Sequence, residues 1–159
     1  MNRRTAFLSV TLLTLVACAF PQSSFAQGSP LIGTWKVNLA KSNYTGGAPR
    51  SQTNTYQQDG QNIRGSNQVI DAQGNAASAT FMHIYDGQPH PMTGNPNIDA
   101  RSYTRVDANT LISASTKSGK LVTVATLVFS QDGKTLTVTT TGTDANGRPI
   151  SSVVVYDKQ

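Results

Sequence analysis

Alternating apolar and polar residues predict β-strands along most of the chain. Trp35, Val37 and Leu39 share one face of a first strand, as expected of a strand with one buried side. A later run has apolar Leu136 and Val138 on one face together with Thr140. The opposite face, which is expected to meet solvent, carries a row of threonines at 135, 137, 139, 141 and 143.

Turn-forming pairs such as Asp59-Gly60 and Asp132-Gly133 recur at short intervals and divide the chain into strand-length runs. Without a covering helix, such a sheet must close into a barrel or pack as a sandwich, and sequential hairpins favour the barrel. The predicted fold is therefore all-β, an antiparallel up-and-down meander forming a lipocalin-like barrel of about 8–9 strands. Strands are expected near 33–40, 51–58, 61–71, 76–85, 99–106, 110–117, 120–130, 133–143 and 149–157.

Two of these runs depart from simple alternation. The run 121–129 is apolar on both faces, which predicts a central strand or one whose outer face is covered. The run 61–71 has few apolar residues, with polar Asn67 and Gln68 between Ile63 and Val69. That strand is expected either to line a partly polar cavity or to be an exposed edge.

The first 26 residues have the composition of a secretory signal peptide. Arg3 and Arg4 precede an uncharged apolar stretch that is short for a membrane span, and Ser24 and Ala26 supply small residues at a cleavage site. We expect cleavage after Ala26, which leaves 27–159 as a single β-barrel domain, periplasmic or secreted. The alternative is a lipoprotein anchored through Cys18.

Composition narrows the function classes. The chain has 13 Lys and Arg, two of them in the predicted signal peptide, and 8 acidic residues, all Asp. The basic residues are scattered along the chain and form no cluster, so we expect no nucleic-acid partner. The rest of the chain has no second long apolar run, so we expect no membrane span there. The domain after the signal peptide lacks Glu and Cys and has no nucleophile motif, so we expect no enzyme, catalytic residue or cofactor. His83 and His90 have no metal-ligand spacing, and we expect no metal site.

The first strand also carries a family resemblance. Gly33-Thr34-Trp35 resembles the opening of lipocalins and the wider calycin group, in which this tryptophan plugs the closed end of the barrel. Longer stretches over 33–42, 85–96 and 132–144 resemble a family of small, exported, largely uncharacterised bacterial proteins. The resemblance implies structural roles for Gly33 and Trp35, and either Arg105 or Arg148 is expected to stack on the tryptophan.

The segment 86–97 contains three prolines and two glycines, which predict an irregular loop. It is expected to be a lid over the open barrel end or a structural crossover. The function predicted is binding of a small, partly apolar molecule, and the alternative is a protein-interaction module such as an inhibitor of an exported hydrolase. Aromatic and polar groups suited to a cavity mouth give the candidate ligand-binding residues Tyr56, His83, Tyr85, Arg101 and Tyr103.

Overall fold

The computed structural model describes residues 28–144 and 147–159. The predicted signal peptide and Cys18 lie outside the described residues. A short 3₁₀ turn, Leu39–Lys41, follows the first strand. The ten strands are β1 Gly33–Val37, β2 Ser51–Asp59, β3 Asn62–Ile70, β4 Ala76–His83, β5 His90–Thr93, β6 Ala100–Arg105, β7 Thr110–Lys117, β8 Lys120–Phe129, β9 Thr135–Thr143 and β10 Pro149–Lys158.

Every strand pairs antiparallel with the next one along the chain, and β10 returns to pair with β1. In this closing pair Trp35 lies opposite Lys158 and Val37 lies opposite Tyr156. The sheet is therefore a closed, antiparallel up-and-down barrel, which confirms the predicted all-β meander, with ten strands in place of eight or nine. Among the described residues, no helix is both apolar enough and long enough to cross a membrane.

The additional strand, β5, lies within the segment predicted to be an irregular loop. Thr93 pairs with Thr80 of β4, and His90 pairs with Arg101 of β6, so the segment forms part of the barrel wall. The lid prediction for 86–97 is wrong over 90–93. The prolines concealed the strand in the sequence. Proline has no N–H to donate, and here the hydrogen bond towards β6 comes from the next residue, Met92, whose N–H bonds Asp99 O at 2.9 Å.

The first strand is shorter than predicted. It ends at Val37, and Leu39 lies in the 3₁₀ turn with its side chain exposed. Asn38 redirects the chain here, because its Oδ1 accepts a hydrogen bond from the Lys41 N–H at 3.2 Å. The Asn38 N–H still bonds Val155 O of β10 at 2.8 Å, and the Val155 N–H then bonds Ser42 Oγ at 2.9 Å.

Trp35 lies buried in β1, and its role as the plug of a closed barrel end stays a prediction from the resemblance. Its side chain is fully buried, its Nε1 donates to Leu31 O at 2.8 Å, and its ring lies 5.7 Å from that of Phe129. The cation over this ring is Lys158 Nζ at 5.1 Å. Gly33, at φ +126°, leaves room for that lysine, since a Cβ there would lie 2.9 Å from Lys158 Cε.

The predicted stacking of Arg105 or Arg148 on Trp35 is therefore wrong. Arg105 lies over the ring of Tyr85, and Arg148 pairs with Asp144 at 2.7 Å. Lys158 occupies the position because barrel closure places it directly opposite Trp35. That pairing between the first and last strands could not be read from local sequence.

The outer surface clarifies the two unusual runs. Thr139, Thr141 and Thr143 are exposed, in agreement with the predicted solvent-facing row. β8 has neighbours on both sides, and within the described chain nothing covers its outer face, where Val128 is 44% exposed. β3 is not an edge, because the sheet is closed, and its Asn67 faces the interior cavity.

Candidate functional site: a cavity inside the barrel

The interior of the barrel contains a cavity of about 190 Å³ that opens to solvent and whose wall mixes apolar and polar side chains. Its apolar lining includes Leu127 and Val138, on β8 and β9. Met92 of β5 contributes a further apolar side chain that sequence reasoning missed. The polar lining comprises Gln52, Asn54, Asn67, Ser113, Ser115, Thr123 and Thr140 together with Arg101, His83 and three tyrosines, 56, 103 and 156.

A cluster of rings forms one side of this cavity. The His83 ring stacks on Tyr103 with centroids 3.7 Å apart and meets Tyr56 edge-on at 5.2 Å. Alternation along β4 places Phe81 on the same face as His83. The strand beside it has Gly65 opposite Phe81, where a Cβ would lie 2.4 Å from the ring, so the cluster depends on a residue without a side chain.

His83 is buried without hydrogen-bond partners. Its side chain is 1% exposed, and neither ring nitrogen has a partner within the described chain. Burial, with a smaller contribution from the positive charge of Arg101, lowers the pKa of His83 to about 3. The imidazole is therefore neutral near pH 7, with one donor and one acceptor unused beside the cavity.

Arg101 brings a positive charge to the same wall. Its Nε donates to Ser115 Oγ at 3.0 Å, and its Nη1 lies 3.5 Å from the Tyr103 hydroxyl. The guanidinium carbon lies 5.4 Å from the centre of the Phe81 ring. Arg101 is the only lining residue charged at neutral pH, and no carboxylate of the described chain forms an ion pair with it.

A second polar group lies on the paired strands β2 and β3, beside the ring of Tyr56. Asn67 Nδ2 donates to Asn54 Oδ1 at 2.6 Å, and Asn54 also hydrogen-bonds the Tyr156 side chain. Burial raises the pKa of Tyr56, Tyr103 and Tyr156, so these phenols keep their protons. Sequence reasoning noted the polar strand 61–71 but did not pair it with the polar inward positions of β2.

Four of the five predicted site residues line the cavity together: Tyr56, His83, Arg101 and Tyr103. Tyr85 does not line it. Tyr85 follows the end of β4, and its ring packs against the core, 6.4 Å from that of His83, and lies beneath Arg105 at 5.0 Å. His90 also lies elsewhere, paired with Asp86 at 3.0 Å. That the four lining residues bind a ligand remains a prediction.

Over residues 28–144 and 147–159, no three His, Cys, Asp or Glu side chains are grouped as a metal site would need.

The chain matches no protein-family model and no curated protein. The solved structures that resemble it include the following two, each at 14% identity and over 82% of this chain. One is a redesigned β-barrel, with 93% of its chain covered and a TM-score of 0.49. The other is zebrafish ileal bile acid-binding protein in complex with cholic acid, with 100% covered and a TM-score of 0.48. At these TM-scores neither likeness bears on the ligand of this chain.

Proposed function

We propose that this protein is an exported barrel that binds a small, partly apolar molecule inside its ring of strands. The supporting observation is the interior cavity, in which the unpartnered His83 lies beside aromatic rings. Buried polar groups in folded proteins nearly always have hydrogen-bond partners. A bound molecule would supply them here, while the rings would cover its apolar part.

Native mass spectrometry of protein purified from its own host tests this proposal. We expect a non-covalent mass in addition to that of the chain. Ala125→Phe places a large side chain in the cavity and should abolish that mass. Val124→Phe is the matched control, because the next residue of β8 alternates to the outer face and should leave the bound mass unchanged. A bare chain from the host would contradict the proposal.

Export is part of the same proposal and rests on the signal-like first 26 residues. N-terminal sequencing of protein from the cell envelope and the medium should find a chain that begins at Gln27. A chain that begins at an acylated Cys18 would support the lipoprotein alternative. An intact Met1 would contradict export by either route.

The second candidate function is a protein-interaction module such as an inhibitor of an exported hydrolase. It draws support from half-exposed Ile112 and Val128 on the outer faces of β7 and β8. Threonines 137 and 139 of β9 separate them from exposed Val153 of β10, which limits the apolar patch. A pull-down from envelope extract should recover a partner that Ile112→Lys no longer binds. Recovery of none would count against this function.

A further inference from the structure

We propose that the ligand is a small organic acid, with a single carboxylate bound by Arg101 and an apolar body about the size of one ring. This inference rests on the proposed function and narrows its ligand class. Four observations carry it: the charge at the cavity wall, the fixed position of that charge, the lack of a second cation among the lining residues, and the volume available.

The charge of Arg101 has no counterpart among the described residues. A cation that is partly removed from water is costly unless an anion or several hydrogen bonds compensate it. Ser115 and Tyr103 occupy Nε and one side of Nη1, and Nη2 has no partner within the described chain. That free end of the guanidinium is the part that binds a carboxylate with two parallel hydrogen bonds.

The same contacts hold Arg101 in place before a ligand arrives. Ser115, directly opposite on β7, fixes Nε, and the face of Phe81 lies beneath the guanidinium. A side chain held in this way loses little additional conformational freedom on binding. The cation is therefore preorganised for one anion, in contrast to a mobile surface arginine.

The cavity favours one negative charge over two. His83 is neutral near pH 7, and no other lining residue is a cation. A phosphate dianion would therefore leave part of its charge uncompensated among aromatic rings. A carboxylate would match Arg101 charge for charge.

Volume restricts the body of the ligand. The cavity measures about 190 Å³, whereas a cavity of about 150 Å³ in another protein holds one benzene molecule. The space here fits a single ring with a carboxylate. A long alkyl chain exceeds this volume and would have to extend out of the cavity into solvent.

Calorimetric titration of protein shown by mass spectrometry to be free of bound molecules tests the inference. The probes are benzoate, its neutral analogue benzamide, dodecanoate and inorganic phosphate. We expect benzoate to bind about 10- to 100-fold more tightly than benzamide, the range for a charge-assisted hydrogen-bonded pair. Arg101→Gln should remove this preference. Arg105→Gln, which removes a cation from the same strand outside the cavity, should keep it.

The outcomes separate the two proposals. Equal binding of benzamide and benzoate, or tighter binding of phosphate or dodecanoate, would overturn the inference. So would a failure of all four probes to bind. If protein from the host nevertheless carries a bound molecule that Ala125→Phe excludes, binding inside the barrel stands while the acid ligand does not. A bare mass from the host together with no binding of any probe would contradict both.

Discussion

Acidification should destabilise this protein through His83. Burial lowers the pKa of His83 in the folded state to about 3, compared with an ordinary value of 6.5. Below 6.5 the unfolded chain therefore takes up a proton that the folded chain excludes, and stability falls as the pH falls from 6.5 towards 3. Between about pH 7.5 and pH 5 the loss works out at about 2 kcal/mol.

Urea unfolding of wild type and His83→Gln at both pH values measures how much stability His83 loses on acidification. The wild type should lose about 2 kcal/mol more than the variant, because glutamine does not titrate. His90→Gln is the matched control, because it removes a partly exposed histidine that lies outside the cavity. Asp71, Asp86, Asp107 and Asp132 have pKa values lowered below 3.8, so their contribution is lost mainly at lower pH. An equal pH response in wild type and His83→Gln would refute a buried, neutral His83.

Three further predictions follow from the packing. Gly65→Ala should lower the free energy of unfolding in urea by about 1–3 kcal/mol, because the new Cβ would overlap the Phe81 ring. The double variant with Phe81→Leu should lose less than the sum of the two single losses, since the smaller side chain relieves the overlap. Trp35→Phe should lower the free energy of unfolding by about 1–3 kcal/mol, because the Leu31 carbonyl loses its hydrogen-bond donor. Circular dichroism is the measurement, since Trp35 is the sole tryptophan and its fluorescence would be lost. An unchanged free energy of unfolding would contradict the hydrogen bond to Leu31. Amides of β5 should exchange with deuterium faster than those of β9, since β5 pairs at only two positions with each neighbour; equal protection would contradict this.

Much of the fold was predictable because strand period and turn chemistry are local. The row of threonines in β9 and the turn at Asp132-Gly133 mark a strand and its start without reference to the rest of the chain. β5 was not predictable in this way, since Pro89 and Pro91 suppress the strand signal. The donors and acceptors that make it a strand come from its neighbours Asp99 and Thr80.

The candidate site was predictable only in part, for a related reason. Alternation correctly places His83 and Tyr103 on inward faces. It does not show that Tyr85, two residues past the end of β4, packs against the core without lining the cavity. The contact between Asn54 and Asn67 depends on the register of β2 against β3. The same holds for Lys158 over Trp35, which requires the closing pair of the barrel.

The pairing of β1 with β10 also has a consequence for biosynthesis. Residues 35–37 find their partners only when residues 156–158 have been made, so the ring cannot close on a growing chain. Until then β1 presents an unpaired edge that could join a strand from another molecule. Contacts so distant in sequence slow folding. The nascent polypeptide therefore stays open until translation has passed the last strand, and only then does it form an interior.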